Sequence, residues 1–304
     1  MATASAAGIK YDEASGIREI FDSEDLVLTP LSRLTPAVSR HDRRHSFRGR
    51  VNRVALGLLL ALATLVVPRD AVGQMSPAIA GDWHLVFHDE FSGTTLDRTK
   101  WKTTYPWGAR TNPGNRELEY YTDDALQVHN GVLWIRADRQ ATHGFPYTSG
   151  IITSYASFTT KYGYFEIRAK VPKGQGLWPT FWLAPVDMSW PPEVDIFEMK
   201  GEETNIDQMS DHFMTARGPR QKHYDWTGPD FSKAFHTFGF EWSPTQLVWY
   251  VDGVERFRTT SNIPDKPMYL IVNLAVGGDW VGPPGATTPF PSYLEVAYVR
   301  AYRG

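Results

Sequence analysis

Glu193, Asp195 and Glu198 place three carboxylates within six residues of an otherwise apolar run, Glu193-Val194-Asp195-Ile196-Phe197-Glu198, directly after the turn-forming Trp190-Pro191-Pro192. Carboxyls grouped in this way can hydrolyse a glycosidic bond. One attacks the anomeric carbon while a second, protonated, gives its proton to the leaving oxygen, the two standing about 5 to 5.5 Å apart in retaining enzymes. Alternate residues of a strand share a face, so Glu193 and Asp195 point together and Glu198 points away. One extra residue, a β-bulge at Ile196-Phe197, returns Glu198 to their side, and bulges are frequent next to active sites. The backbones of Glu193 and Glu198 then lie about 13 Å apart, a gap that two long, inward-leaning side chains largely close. The expected roles are Glu193 as ionised nucleophile and Glu198 as proton donor. Asp195, shorter and central, would hold a neighbouring Glu by hydrogen bond and shift its pKa through charge. A solvated strand edge carrying acids produces the same short pattern, so the surroundings decide between the two.

Those surroundings are strands. Phe165, Ile167, Ala169 and Val171 alternate with Tyr164, Glu166, Arg168 and Lys170, and Phe238, Phe240 and Trp242 alternate with Thr237, Gly239 and Glu241, the period of half-buried strands. Turn residues separate such runs: Asn130-Gly131 between 126–129 and 132–135, Ser243-Pro244-Thr245 after Trp242, and Asp252-Gly253 between 249–251 and 254–257. No stretch sustains a helical period. Many closely spaced strands without helical interludes predict an all-β fold, a β-jelly-roll sandwich of two antiparallel sheets, as one domain over residues 75–304.

Aromatic residues crowd the approach to the acids. The run Gly174-Gln175-Gly176-Leu177-Trp178-Pro179-Thr180-Phe181-Trp182 feeds the preceding strand. The negative face of an indole complements the apolar C–H face of a β-linked pyranose, so Trp178 and Trp182 are candidate sugar platforms, with core packing as the alternative for each.

Four blocks in order resemble glycoside hydrolase family 16: 161–170 (KYGYFEIRAK), 174–182 (GQGLWPTFW), Glu193 to Glu198, and Asn273-Leu274-Ala275-Val276-Gly277-Gly278. The likeness runs from Phe87-His88-Asp89-Glu90-Phe91 to the terminal Tyr298-Val299-Arg300-Ala301-Tyr302. It implies a jelly roll with a concave cleft and retaining endo-hydrolysis of β-linked glucans or galactans. By that similarity Glu193 matches the nucleophile, Asp195 the assisting acid and Glu198 the acid/base. The bulged acid motif is similar to the laminarinase, agarase and carrageenase branches. Asn115-Arg116-Glu117-Leu118-Glu119-Tyr120-Tyr121-Thr122 resembles the laminarinase stretch lining the glycone subsites, so Asn115 and Glu119 are expected substrate contacts, and the implied substrate is β-1,3- or mixed β-1,3/1,4-glucan. Pro191-Pro192-Glu193 and Gly277-Gly278-Asp279-Trp280 are also similar to enzymes trimming exopolysaccharides such as succinoglycan, and Trp280 joins the substrate-binding set. His212 stands where the family carries an active-site histidine, with an expected hydrogen bond near the acid/base. A galactan depolymerase, a transglycosylase and a non-catalytic glucan-binding module on the same roll are the alternatives.

No cofactor is expected. The resemblance implies a structural calcium site using a Glu such as Glu90, a carbonyl near Asn130-Gly131 and an Asp in the last strand, but that last position is Ala297. Calcium takes six to eight oxygen ligands, several of them anionic, so weak or no binding is expected. With no cysteine, disulfides and Cys-ligated zinc are excluded. Gly277-Gly278 and Gly174-Gln175-Gly176 lack the strand-to-helix setting of a phosphate cradle.

All eleven Trp lie at or after Trp83, whereas residues 1–74 carry a basic cluster from Arg40 to Arg53 and then fourteen apolar or small residues, 54–67. Positive charge, an apolar core and small residues at Ala71 and Gly73 form the layout of a secretory signal, too short for a comfortable span. The expectation is export, to the medium or periplasm, with membrane contact only in transit. The long polar lead implies either an extended n-region or a start near Val51. Residues 1–73 hold ten Lys or Arg and eight Asp or Glu, leaving 21 basic against 26 acidic residues. A mildly acidic body offers no phosphate-neutralising surface, which argues against nucleic acid. The expected partner is a polysaccharide, and the expected state a monomer.

Overall fold

The computed structural model describes residues 79–304, so the signal-like segment and the boundary at residue 75 lie outside the described residues. In chain order the strands are β1 (His84–Asp89), β2 (Glu119–Tyr121), β3 (Leu126–His129), β4 (Val132–Ala137), β5 (Tyr147–Ser149), β6 (Ile151–Thr153), β7 (Gly163–Lys170) and β8 (Leu177–Pro185). There follow β9 (Glu193–Glu198), β10 (Ile206–Thr215), β11 (Gly218–Thr227), β12 (His236–Trp242), β13 (Leu247–Val251), β14 (Val254–Thr259), β15 (Met268–Val276) and β16 (Ser292–Arg303). Helical geometry among the described residues is confined to two three-residue 3-10 turns.

Two antiparallel sheets form the expected jelly roll. One runs β14-β13-β12-β7-β16-β4-β3 with β1 added to β16, and the other runs β11-β10-β9-β8-β15-β6. Their inner faces share one core: Phe165 and Ile167 of β7 and Phe238 and Phe240 of β12 pack with Leu183 of β8, Val194 and Phe197 of β9 and Leu270 of β15. Hairpins close where turn residues predict them. Asn130 (φ 55°) with Gly131 (φ 74°), and Asp252 (φ 51°) with Gly253 (φ 73°), take the paired left-handed conformations of two-residue turns that match strand twist.

Two features depart from the sequence pattern. β7 is half-buried only toward its end: its outward residues Tyr164 and Glu166 are also covered, while Arg168 is exposed. Tyr164 packs among Trp83, Tyr250 and Tyr302 and donates to Glu166, since a central strand's outer face can be roofed by long aromatic neighbours. Secondly, β2 and β5 form a short parallel pair outside both sheets. The segment bearing β2 lies over the six-stranded sheet, where Tyr105 and Tyr121 pack with Ile151, Tyr269, Ile271 and Trp182. That overlay raises one wall of the cleft.

Candidate active site

The carboxylate row lies on the open face of the six-stranded sheet, and the bulge creates it. Phe181 of β8 pairs with Phe197, but Trp182 pairs with Asp195, so Ile196 is the extra residue. Ile196 and Phe197 both turn into the core, which leaves Glu193, Asp195 and Glu198 facing outward together. Ladder groups released by a bulge need other partners. Trp249 of β13, reaching across from the other sheet, donates its indole N–H to the Asp195 carbonyl at 2.8 Å. From β10, Asp207 accepts the Glu198 N–H at 3.3 Å. Asp207 is fully buried, and burial pushes its carboxyl well above the usual range, which favours the uncharged form that an amide copies.

These two clamps carry a prediction. Trp249→Phe keeps most of the buried ring but removes the donor. It is expected to lower kcat by about 10- to 100-fold, with a smaller change in KM, because a shift of about 1 Å in a catalytic group costs that much. Asp207→Asn should stay within a few-fold of wild type, whereas Asp207→Leu should fall with Trp249→Phe. Steady-state kinetics on folded variants checks the ordering, and equal kcat for Asp207→Leu and wild type would refute it.

His212 of β10 pairs directly with Glu193 of β9. Its Nε2 lies 3.1 Å from Asp195 Oδ2 and 3.4 Å from Glu193 Oε1. The register sets His212 opposite Glu193, and it reaches Asp195 and Glu193 within the row that also holds Glu198. Burial alone would lower the His212 pKa, but the Glu193 charge and the Asp195 hydrogen bond and charge outweigh it and raise it to about 9. Burial, reinforced by Asp195, pushes Glu193 up to about 7, against the opposing pull of His212 and a Trp190 hydrogen bond. Glu198 is carried further, well above the usual carboxylate range, by burial and then by the charges of Asp195 and Glu193. The environment thus separates two glutamates of one strand into a member that ionises first and a member that keeps its proton, the division that acid-and-nucleophile chemistry needs.

Trp178 is only 8% exposed. Its Nε1 donates to Glu198 Oε1 at 2.9 Å and its ring packs against Trp280, so it steadies Glu198 and offers little face to a sugar. Trp182 stands half-buried beside Asp195, with its indole N–H held by Asn273 Oδ1 at 2.8 Å. Trp280 is half-buried under the Lys200 ammonium. Asn115 is half-buried and donates to Glu117, not to open space. Glu119, expected to touch substrate, is 0% exposed and accepts the Val276 N–H; strand alternation in β2 turns it inward. Sequence reasoning missed Trp190, whose ring lies 5.8 Å from His212, and Trp107, 57% exposed and stacked flat on Tyr105. It also missed Asn273, whose signal was a lone amide inside the apolar run of β15.

Glu193, Asp195 and His212 present ligand-type atoms within 4.8 Å of one another, a span a cation could bridge; here the imidazolium supplies the positive charge between the carboxylates. At the calcium position implied by resemblance, Arg300 holds Glu90 with two hydrogen bonds of 2.9 and 2.8 Å. A carboxylate neutralised by a guanidinium, with Ala297 in the last strand, does not fit calcium's ligand needs.

The chain matches the family model described as "Glycosyl hydrolases family 16" over residues 115–292, and that of the "Beta-glucan synthesis-associated protein SKN1/KRE6/Sbg1" over residues 34–186. It is 37% identical over 239 residues to the "Endo-1,3-1,4-beta-glycanase EglC" of Rhizobium meliloti, covering 71% of this chain and 51% of that protein. To the "Beta-glucanase" of Rhodothermus marinus it is 34% identical over 273 residues, 80% of this chain and 93% of that one. The chain therefore spans about half the length of the Rhizobium relative and nearly all of the Rhodothermus one. Among solved structures, the endo-beta-1,3-glucanase from Pyrococcus furiosus superposes with a TM-score of 0.66 at 35% identity, covering 72% of this chain and 94% of that chain.

Proposed function

The chain belongs to glycosyl hydrolases family 16, and from that premise we propose that it is a retaining endo-glycosidase acting on β-1,3- or mixed β-1,3/1,4-glucan. The observation that carries this reading is the bulged row itself: two glutamates with separated proton affinities on one open face, joined by Asp195 and His212. Glu198 protonates the departing glycosidic oxygen while Glu193 attacks the anomeric carbon, and the C–O bond to the aglycone breaks as the glycosyl ester forms. Glu198, now ionised, takes a proton from water, which displaces Glu193 with a second inversion and restores both groups. These steps draw on the chain's own carboxyls.

The names of the relatives favour glucan over galactan, and half-exposed indoles at Trp182, Trp190 and Trp280 line the approach as sugar platforms would. We further propose that the protein is exported and acts as a monomer, export being supported by the basic and apolar run 40–67.

Reducing-end release is to be measured across laminarin, lichenan, agarose, carrageenan and succinoglycan. Laminarin and lichenan should be cut to short oligosaccharides, with the β-anomer formed first by NMR. Activity on the galactans alone would overturn the glucan reading, and products longer than a defined substrate would identify transfer in place of hydrolysis.

A further inference from the structure

Glu117 and Glu119 are buried carboxyls that the proposed chemistry does not use. Glu117 accepts from Asn115 Nδ2 at 2.9 Å, the Asn112 N–H at 3.2 Å and the Tyr121 hydroxyl at 3.3 Å. Glu119 accepts the Val276 N–H at 2.7 Å on Oε2, and its Oε1 is buried with no donor of its own. Two positions apart and both buried, the two carboxyls are close neighbours, each within reach of the other's charge. Two carboxylates can only repel there, whereas a carboxylic acid can donate to a carboxylate. The donor inventory decides which is which: Glu117, with three donors, carries the charge, and Glu119, with one oxygen unprovided for, carries the proton.

We propose that Glu117 and Glu119 share one proton and, as a neutral-acid/carboxylate pair, act as positioning residues that fasten the cleft wall to the end of β15. The fastening is visible in the backbone. Leu118 N–H donates to the Val276 carbonyl, Asp279 N–H donates to the Asn115 carbonyl, and Glu117 bridges to Gly277. Gly277 and Gly278 (φ 72° and 103°) make the approach possible, since a Cβ would stand 2.5 Å from Leu118 at the first and 2.9 Å from the Asn115 carbonyl at the second. From the pair the contacts continue toward the catalytic row. Tyr121 hydroxyl accepts from Asn273 Nδ2, and Asn273 Oδ1 receives Thr180 Oγ1 and Trp182 Nε1. Thr180 pairs with Glu198, and Trp182 with Asp195.

The groups around the pair are Tyr105 from the preceding loop and Tyr121 on β2, both held protonated by burial and then by the two glutamates. Asn112 and Asn115 face it from the turn and Val276 from β15, while Arg110 sits behind, donating to the Tyr121 carbonyl. Burial first, and then the Glu117 charge, hold Glu119 far above the ordinary carboxylate range. The folded chain therefore keeps a proton that the unfolded chain releases near its ordinary carboxylate pKa. Stability from this source is fully present below that value and declines as pH rises toward the folded value.

Glu119→Gln imitates the protonated acid, since its carbonyl can take the Val276 N–H and its amide can donate to Glu117, and it has no proton to lose. Melting temperatures of wild type and Glu119→Gln are to be compared from pH 5 to pH 9. They should nearly coincide at pH 5, the variant then gaining by roughly 3 °C per pH unit. A difference that does not change with pH refutes proton sharing. Glu119→Ala leaves Val276 without its acceptor and should raise the KM for laminarin by about tenfold with kcat within about twofold, while Glu119→Gln keeps the wild-type KM at pH 6. The kinetic comparison rests on the glucanase reading. If wild type does not cut laminarin, that reading fails, and the melting comparison still decides the pair.

Discussion

Glu198→Gln is expected to lower turnover of laminarin by about 10²- to 10⁴-fold, the contribution of a positioned general acid, and Glu193→Ala to lower it at least as far. The two losses differ in kind, and azide separates them. Without the Glu193 carboxylate a small anion can enter from its side of the sugar and displace the protonated aglycone directly. A single inversion then leaves an α-glycosyl azide. Without Glu198 the glycosyl ester still forms on an activated aryl substrate, whose leaving group needs no proton, and azide opens it from the opposite side. Two inversions leave a β-glycosyl azide. The environments support this division, because Glu193 ionises near 7 while Glu198 holds its proton to higher pH. The products are read by NMR of the isolated azides. An α-azide from a Glu198 variant, or near-wild-type turnover in either variant, would exchange or cancel the roles.

The acid row was legible in the sequence because period-two alternation is a hard geometric constraint, and three acids on a mostly apolar strand violate it unless a residue bulges. Ile196 is that residue. The two-sheet architecture was legible for the same reason, with turns at Asn130-Gly131 and Asp252-Gly253 marking hairpins whose left-handed conformations few other residue pairs tolerate. What escaped were contacts between segments distant in the chain. Trp249 lies 54 residues from the carbonyl it caps, and nothing local distinguishes it from any other core tryptophan. Trp178 looked like a sugar platform because it is aromatic and near the acids, yet near neighbours on adjacent strands of one face bond each other before they bond a ligand. Glu119 illustrates the converse: the likeness of residues 115–122 to a family stretch implied a substrate contact, while alternation along β2 buried it. Asp207 could not be read at all, since its raised proton affinity follows from burial that only the folded sheet pair creates.

His212→Gln should move the pH dependence of kcat/KM rather than merely scale it. At neutral pH the wild-type imidazole is protonated, its pKa standing at about 9, and its charge favours the ionised forms of both glutamates. Glutamine keeps a donor for Asp195 but carries no charge. A carboxyl that loses an opposite charge within about 4 Å rises in pKa by roughly one unit or more. The acidic limb, set by ionisation of Glu193, then moves from near 7 to higher pH. The alkaline limb, set by loss of the Glu198 proton, moves the same way. At pH 6 ionised Glu193 is already the minority form, so a rise of about one in its pKa removes about nine-tenths of the remaining active population. At pH 8 to 9 the loss is smaller, and above the wild-type optimum the variant gains relative to wild type. A histidine acting only through shape or hydrogen bonding would give a loss of equal size at every pH. Profiles of kcat/KM from pH 5 to pH 10 distinguish the two, and parallel curves would remove the imidazolium from the account of how Glu193 is kept ionised.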